Sequence, residues 1–444
     1  MSFQLPATLP PLHADMPIIA SKLPQGKVAK LKTTMIDPRG ISWSAEGHYE
    51  ISTNGTLNTA ENASLGGTYT GVDVGGPFWS LQPPHGAAYL DGLRSDPGLS
   101  LSPAPTELEP LTYTLSLWVD GMLQDEAEIQ RAQVAPGVTP THSLPGALRG
   151  VMFSPTGAPK GAVLVLGGSE GGITPGRAAA LAAEGYTALA LGYFDYEDRP
   201  RAAINLPLEY FSAAIDFLKS KTGHDTVIWG GSRGSEAAML TAIHFPDHIA
   251  GVIAWVPSHL VNQGFDMAAG EDFSKSSAAM WAVKGEPIDG APSTPVTESI
   301  KARRKTGYAA PPGYAYTPEF QKGWGDAGHN GRFAIKVEDL KAPLCIISAA
   351  DDALWPSALG GRYLFERRSA AGLLDQTRHI CLPHSGHAIG MPNMPRPFSH
   401  ISYWSGGYSG VEGGFIAQGG APATNAAAAR DGWAAALDFL GDVF

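Results

Sequence analysis

Cysteine is scarce in this sequence. Only Cys345 and Cys381 occur among its 444 residues, and each lies in an apolar run, PLCIIS or HICLP, that is typical of a strand. Two isolated cysteines exclude a disulfide framework and a zinc site built from several cysteines. We therefore expect two reduced thiols inside the protein core and no bound metal.

Charge is also low, and no apolar run is long. Charged residues make up 16% of the chain and sum to a formal -11, which argues against nucleic acid or an anionic membrane surface as the main partner. No stretch approaches the roughly 18 apolar residues of a membrane span, and the first residues, MSFQLPATLPPLHADMP, lack the regions of a signal peptide. We expect a globular protein of the cytoplasm with no nucleic acid partner, no membrane span and no cofactor.

The residue pattern changes near position 140. After a Pro-rich arm at 1–20, the sequence has short alternating runs such as KLKTTMI, GHYEIST and YTLSLWVDG, which predict an antiparallel β-sandwich over 21–135. Residues 136–146 are rich in Pro, Thr and Gly and are interpreted as a linker. From 147 to 444, strand-like and helix-like segments alternate, which predicts an α/β fold with a doubly wound, mostly parallel sheet.

A strand-like run ends abruptly at small residues in VIWGGSRGSEA, residues 227–237. The segment that follows has helical spacing, so Ser232 lies at a strand-to-helix corner between Gly230 and Gly234. In a G-x-S-x-G corner the serine hydroxyl is held exposed near a helix N-terminus, where it can act as a nucleophile. The same residues are also typical of an ordinary turn, so the assignment depends on partners elsewhere in the chain.

Candidate acids and bases follow two later strand-like runs. PLCIISAADD ends in Asp351 and Asp352, and RHICLPHSGH contains His384 and His387. The carboxyl ends of parallel strands share one edge of a sheet, and the chain order Ser, Asp, His is that of α/β-hydrolases. A serine nucleophile needs a histidine to take its proton and a carboxylate to orient that histidine. The residues therefore predict a serine hydrolase and leave open which member of each pair acts.

A second glycine-rich turn, LVLGGSEGGI at 164–173, follows an earlier strand-like run. An amide from Gly168, Ser169 or Glu170 is a candidate to stabilise an oxyanion together with the amide of Arg233, and we take Ser169 as the donor. The turn lacks the Lys-Ser/Thr pair of a P-loop and the G-x-G-x-x-G spacing, which disfavours nucleotide binding there.

Motifs along nearly the whole chain resemble one known family. They include GTYTGVDVGGPFWSLQP, GGSEGG, ALALGYFDYEDRP, LPLEYFSAAIDFL, GGSRGSEA, ADDALWPS and LPHSGH. These motifs are similar to those of acyl-CoA thioesterases and bile acid-CoA:amino acid N-acyltransferases, which join an immunoglobulin-like β-sandwich to an α/β-hydrolase domain. The resemblance implies Ser232 as nucleophile, Asp352 as acid and His387 as base, with Asp351 and His384 as structural neighbours.

The resemblance also implies the reaction. The amidating branch of the family typically has a cysteine nucleophile, whereas this chain has serine, as in the thioesterase branch. We therefore expect a serine hydrolase that cleaves acyl thioesters of coenzyme A or a phosphopantetheine carrier to acid and thiol. The alternatives are an acyltransferase with an amine, alcohol or thiol acceptor, and a non-catalytic partner-binding protein, which a complete triad disfavours. Glu170 departs from the family, which usually has a glycine at that position.

Residues 263–335 form a long segment rich in Gly, Pro, Tyr and Trp between two predicted strands. Long irregular loops are usually functional or disordered, so we expect a lid or an acyl-chain pocket. Within this segment KARRK at 301–305 concentrates four positive charges. Arg303 and Arg304 are candidates to bind the anionic groups of coenzyme A or phosphopantetheine, and a solvated helix face is the alternative interpretation.

Overall fold

A computed structural model describes residues 2–93, 101–102, 108–266, 278–292, 313–404 and 414–444. The chain divides into two compact units. The first unit comprises Met1–Pro136, Ile389–Ser399 and Pro422–Arg430, and the second unit comprises Gly137–Ala388, His400–Ala421 and Asp431–Phe444.

The first unit is built on two antiparallel sheets. Its elements are β1 (Ser2–Phe3), β2 (Ile19–Ser21), β3 (Val28–Ile36), β4 (Ser42–Glu50), β5 (Leu57–Asn58), α1 (Gly76–Trp79), α2 (Gly86–Gly92), β6 (Leu111–Val119) and β7 (Met122–Arg131). One sheet has the order β4-β3-β6-β7 and the other the order β1-β2-β5. In β3 and β4 every second residue is buried, because alternate side chains of a strand point to opposite faces. Both sheets contribute to one core, so the predicted antiparallel β domain is confirmed.

The second unit alternates strands and helices. Its elements are β8 (Thr139–Thr141), β9 (Arg149–Ser154), β10 (Ala162–Leu166), α3 (Pro175–Ala183), β11 (Thr187–Gly192), β12 (Leu206–Pro207), α4 (Leu208–Thr222), β13 (Thr226–Gly231), α5 (Arg233–His244), β14 (Ile249–Trp255), β15 (Trp281–Val283), β16 (Glu286–Pro287), α6 (Thr317–Ala327), β17 (Leu344–Ala349), α7 (Ser357–Ala370), β18 (Thr377–Leu382), β19 (Ile401–Trp404), β20 (Gly414–Ala417) and part of α8 (Pro422–Val443). Within the described ranges, no helix is long and apolar enough to cross a membrane.

An eight-stranded sheet forms the centre of the second unit. Its order is β8-β9-β11-β10-β13-β14-β17-β18. The β8–β9 and β9–β11 pairs are antiparallel and the others are parallel. Strands β10, β11 and β17 are buried along their whole length, as is usual for parallel strands covered by crossover helices. The predicted α/β fold is confirmed, and the parallel strands bring the ends of β13, β17 and β18 to one edge.

The segments described above as a Pro-rich arm and as a linker each contribute a strand. Phe3, in the Pro-rich arm, pairs with Ala20 of β2. Thr139–Thr141, in the segment interpreted as a linker, forms the edge strand β8 and pairs with β9. Short polar or Pro-containing segments can pair at a sheet edge, where one side of the backbone needs no partner strand.

The two thiols differ in their surroundings. Both cysteines are free, as expected, and Cys345 in β17 is buried, but Cys381 in β18 is exposed. The expectation of a core position for Cys381 was therefore wrong. β18 is the other edge strand of the large sheet, and its middle residues are only partly covered.

Candidate active site

Ser232 occupies a sharp turn between β13 and α5. Its backbone has φ 51° and ψ -121°, a region that a residue with a Cβ adopts only under strain. The turn is held on both sides of the serine, because the Ser232 amide donates to the Trp255 carbonyl over 2.9 Å and Ser235 Oγ donates to the Ser232 carbonyl over 2.6 Å. The hydroxyl therefore stands at the N-terminus of α5, beyond the end of the strand.

The flanking glycines are required by close backbone contacts. A Cβ built on Gly230 would lie 2.1 Å from the carbonyl oxygen of Gly234, and one built on Gly234 would lie 2.2 Å from the carbonyl oxygen of Gly167. Neither distance leaves room for a side chain, and backbone atoms cannot move aside as the end of a flexible side chain can. The spacing that the sequence shows around Ser232 thus follows from packing of strand, turn and helix.

The structure brings Ser232, His387 and Asp352 together. His387 Nε2 lies 3.1 Å from Ser232 Oγ, and His387 Nδ1 lies 2.8 Å from Asp352 Oδ2. Because an ionised carboxylate can only accept, the Nδ1 proton faces Asp352 and Nε2 is available to the hydroxyl. The His387 side chain is 9% exposed and that of Asp352 is 1% exposed. This is the hydrogen-bonded arrangement that a serine nucleophile, a base and an orienting acid require.

Two backbone amides fix the Asp352 carboxylate. Asp352 Oδ1 accepts from the amides of Leu354 and Trp355 at 3.0 and 3.2 Å, while Oδ2 faces His387. The Trp355 ring also meets the His387 ring edge to face, with centroids 5.6 Å apart. Carboxylate and imidazole are therefore both held in place by the turn that follows β17.

The other member of each candidate pair points elsewhere. His384 and Asp351 form a separate pair at 3.6 Å, with side chains 80% and 54% exposed. Neither side chain takes part in the hydrogen bonds of Ser232. The geometry therefore separates two pairs of identical residue types that the residue pattern alone could not rank.

The glycine-rich turn after β10 lies against the serine. Its Gly168 amide donates to Glu170 Oε1 over 3.0 Å, so this amide is already engaged. Among the described residues, neither the Ser169 amide nor the Arg233 amide donates a hydrogen bond. Both of these amides remain available to an oxyanion, and the Arg233 amide lies at the start of α5, where the helix dipole favours negative charge.

Comparison with known proteins gives the family of the chain. Residues 13–142 match the model described as the acyl-CoA thioester hydrolase/BAAT N-terminal region, and residues 206–443 match the model described as BAAT / acyl-CoA thioester hydrolase C terminal. The chain belongs to the acyl-CoA thioester hydrolase/BAAT family.

Several named proteins are similar to this family member. Acyl-coenzyme A thioesterase 6 of Mus musculus is 26% identical over 422 residues, covering 91% of this chain and 87% of that protein. Acyl-coenzyme A thioesterase 1 of Homo sapiens is 26% identical over 415 residues, with the same two coverages. Bile acid-CoA:amino acid N-acyltransferase of Homo sapiens is 34% identical over 224 residues, covering 48% of this chain and 52% of that protein.

The predicted cationic contacts lie outside the described residues. Arg303 and Arg304, with the rest of KARRK, fall between residues 293 and 312. Within the part of the chain that the structure describes, no cluster of three or more His, Cys, Asp or Glu side chains is arranged to hold a metal ion.

Sequence reasoning missed Glu236, one helical turn after Ser232. Its carboxylate is fully buried and accepts from Arg233 Nη1, from the Asn262 amide and side chain, and from Trp281 Nε1, at 2.8–3.1 Å. Four donors satisfy the oxygens, which is what burial of a carboxylate requires. The available signal was a single acidic residue in the otherwise small and apolar helix SEAAML.

This Glu236 cluster joins α5 to the segment between β14 and β17. Arg233 Nη2 also donates to the carbonyl of Gln263, and Asn262 Oδ1 accepts from Trp324 Nε1 over 3.1 Å. Trp324 in turn packs against Trp355, with ring centroids 5.7 Å apart. The described part of the predicted 263–335 insertion is therefore connected to both α5 and the turn that follows β17.

Replacing Glu236 by Gln should lower the free energy of unfolding by about 3–5 kcal/mol, because the buried Arg233 guanidinium would lose its counter-charge. Urea denaturation followed by circular dichroism measures the change. Glu197→Gln is the matched control: the Glu197 side chain is 51% exposed beside Arg149, and its loss should cost less than about 1 kcal/mol. Equal losses in the two variants would contradict the role assigned to Glu236.

Proposed function

We propose that this chain is an acyl-CoA thioesterase that uses Ser232, His387 and Asp352 as a catalytic triad. The observation that carries the proposal is the relay of 3.1 and 2.8 Å contacts through His387 in a chain that belongs to the acyl-CoA thioester hydrolase/BAAT family. Two similar proteins that align with 91% of the chain are named acyl-coenzyme A thioesterases, which supports an acyl-CoA substrate.

In the first half of the reaction Ser232 Oγ attacks the thioester carbonyl carbon while His387 Nε2 takes the hydroxyl proton. Asp352 stabilises the imidazolium that forms. The tetrahedral intermediate then collapses: the carbon–sulfur bond breaks, the leaving thiol takes the proton from His387, and the acyl group stays on Ser232 as an ester. The amides of Ser169 and Arg233 are proposed to stabilise the oxyanion.

In the second half His387 activates water, which attacks the acyl-serine carbonyl. The intermediate collapses with return of the proton to Ser232 Oγ, and the free acid leaves. Each cycle therefore consumes one water and yields one acid and one thiol, with no redox change and no group retained on the protein.

The phosphate groups of the proposed substrate are negatively charged and need positively charged partners. We propose that Arg303 and Arg304 bind phosphate groups of coenzyme A or of a phosphopantetheine carrier, because guanidinium groups pair with phosphates through paired hydrogen bonds. We further propose a role in lipid metabolism, which fits this substrate class, and a cytoplasmic location. Both cysteines are free, which suits a reducing compartment.

Acyl transfer to an amine is the second candidate. It is favoured by the 34% identity over 224 residues to bile acid-CoA:amino acid N-acyltransferase. Hydrolysis is preferred because the nucleophile is serine, whose acyl ester reacts readily with water, whereas the amidating branch that the sequence resembles typically has cysteine.

A fluorophosphonate probe should label Ser232 and no other serine, because the base that activates it is within 3.1 Å. Peptide mass spectrometry locates the adduct. Ser232→Ala should lose the label and at least about a thousandfold in turnover, while Ser220→Ala, at the exposed end of α4, should keep both. Full activity in Ser232→Ala would contradict the proposed mechanism.

Asp352→Asn and His387→Ala should each lower kcat about a thousandfold or more, since each breaks the relay. The matched controls are Asp351→Asn and His384→Ala, which alter the exposed neighbouring pair and should keep kcat within about threefold. Steady-state kinetics on one acyl-CoA compares all four variants. An inactive, folded Asp351→Asn beside an active Asp352→Asn would reverse the choice of acid.

Hydrolysis should release free acid and free thiol in equal amounts, and millimolar glycine or taurine should not divert the acyl group, since water competes for the acyl-serine. Thiol titration and mass spectrometry of the acyl products, run in parallel, measure the partition. A dominant N-acyl product at low millimolar amine would assign the chain to acyl transfer instead.

A further inference from the structure

One peptide group beside the nucleophile is held by side chains at both ends. The peptide joins Gly167 to Gly168: its carbonyl oxygen accepts from the Tyr193 hydroxyl over 2.8 Å, and its amide donates to Glu170 Oε1 over 3.0 Å. A peptide group is planar, so two opposed hydrogen bonds fix the direction in which that plane faces. The next amide along the chain is that of Ser169.

This peptide forms the surface on which the nucleophile turn rests. The Gly167 carbonyl oxygen would lie 2.2 Å from a Cβ on Gly234, and a Cβ on Gly168 would lie 2.9 Å from Ser232 Cβ and 2.8 Å from Glu170 Oε2. The side chains of Ser232 and Glu170 thus both lie close to the Cα of Gly168. Any rotation of the peptide would move the turn, the Ser169 amide or both.

Tyr193 is a rigid anchor for the carbonyl end. The side chain is buried, and its ring packs against Phe194, Phe211 and Trp281 with centroids 5.2–6.0 Å apart. Burial, and after it the negative charge of Glu170, raises the pKa of Tyr193 well above its usual value. The hydroxyl therefore stays protonated and remains a donor.

We propose that Tyr193 and Glu170 are positioning residues that preset the oxyanion loop. Tyr193 fixes the carbonyl of the Gly167–Gly168 peptide, and Glu170 fixes its amide. The Gly168 amide is thereby withheld from the reacting oxygen, and the Ser169 amide becomes the loop donor. The proposal deepens the proposed function, because it rests on Ser232 being the nucleophile, and it gives Glu170 a role that glycine could not supply.

The variants separate the two ends of the peptide. Tyr193→Phe removes only the hydroxyl, Glu170→Ala removes the acceptor, and Glu170→Gln keeps an acceptor oxygen without the charge. Tyr210→Phe is the matched control, because Tyr210 is also buried in the same core, and its hydroxyl donates to the carbonyl of Gly192 over 2.8 Å and makes no hydrogen bond to the Gly167–Gly168 peptide.

The primary readout is the second-order rate at which a fluorophosphonate labels Ser232. This rate needs the oxyanion donors and the triad but no knowledge of the natural substrate. We expect roughly tenfold slower labelling in Tyr193→Phe and in Glu170→Ala, less than the hundredfold or more of a lost direct donor, and recovery to within about threefold in Glu170→Gln. The double variant should lose less than the product of the two single losses, because both act on one peptide.

The second readout uses an acyl trifluoromethyl ketone, which forms a tetrahedral adduct with the serine. In Tyr193→Phe and Glu170→Ala, the affinity of the protein for this ketone should fall by about the same factor as the labelling rate. The affinity for the free acid should stay unchanged, because only the tetrahedral adduct needs the oxyanion donors. Tyr210→Phe should keep both affinities and the labelling rate.

Wild-type labelling rates in Tyr193→Phe and Glu170→Ala would overturn the proposal, and so would an equal loss in Tyr210→Phe. A failure of the proposed function has a different signature. In that case wild-type protein would not turn over acyl-CoA, or Ser232 would not be labelled at all, whatever residue stands at 170 or 193.

Discussion

The contact between the Gly234 backbone and the Gly167 carbonyl oxygen is the constraint on which the site depends. It joins two turns that leave neighbouring strands, β10 and β13, and it leaves no room for a Cβ. Because this contact is made by backbone atoms, it brings the Ser232 turn and the Gly167–Gly168 peptide close together, and the side chains of Tyr193 and Glu170 bind the same peptide. The strain at Ser232, with its positive φ, is tolerated because strand, helix and loop all determine the same position.

The other two residues of the candidate site, Asp352 and His387, follow two separate strands. Asp352 follows β17 and His387 follows β18, and both strands run parallel to β13 in the same sheet. The parallel arrangement brings residues that are far apart in the chain to one edge, where 2.8 and 3.1 Å contacts can form. Amides of the turn after β17 then donate hydrogen bonds to the Asp352 carboxylate. The contacts among Ser232, His387 and Asp352 therefore depend on local turns whose positions are set by the parallel sheet.

The fold and the turn at Ser232 could be predicted because their signals are local. Alternating strand and helix patterns indicated the parallel sheet, and the glycines around Ser232 indicated the turn. The choice between Asp351 and Asp352, or between His384 and His387, could not come from the residue pattern, since it depends on the direction a turn gives to each side chain. Glu236 was missed because its partners Asn262 and Trp281 lie 26 and 45 residues away. Cys381 was misplaced because its apolar run does not reveal that β18 is an edge strand.

The Glu236 cluster has a consequence for how such a protein can change over evolutionary time. It anchors Asn262 and Trp281 directly, and Trp324 through Asn262. These three residues bracket the two long stretches of the segment between β14 and β17. A change at Glu236 would disturb all three anchors together, whereas a change at a single anchor breaks only some of these hydrogen bonds. Among descendants of one gene, Glu236 and its partners are therefore expected to change together, while residues of the segment that bind none of them can vary independently.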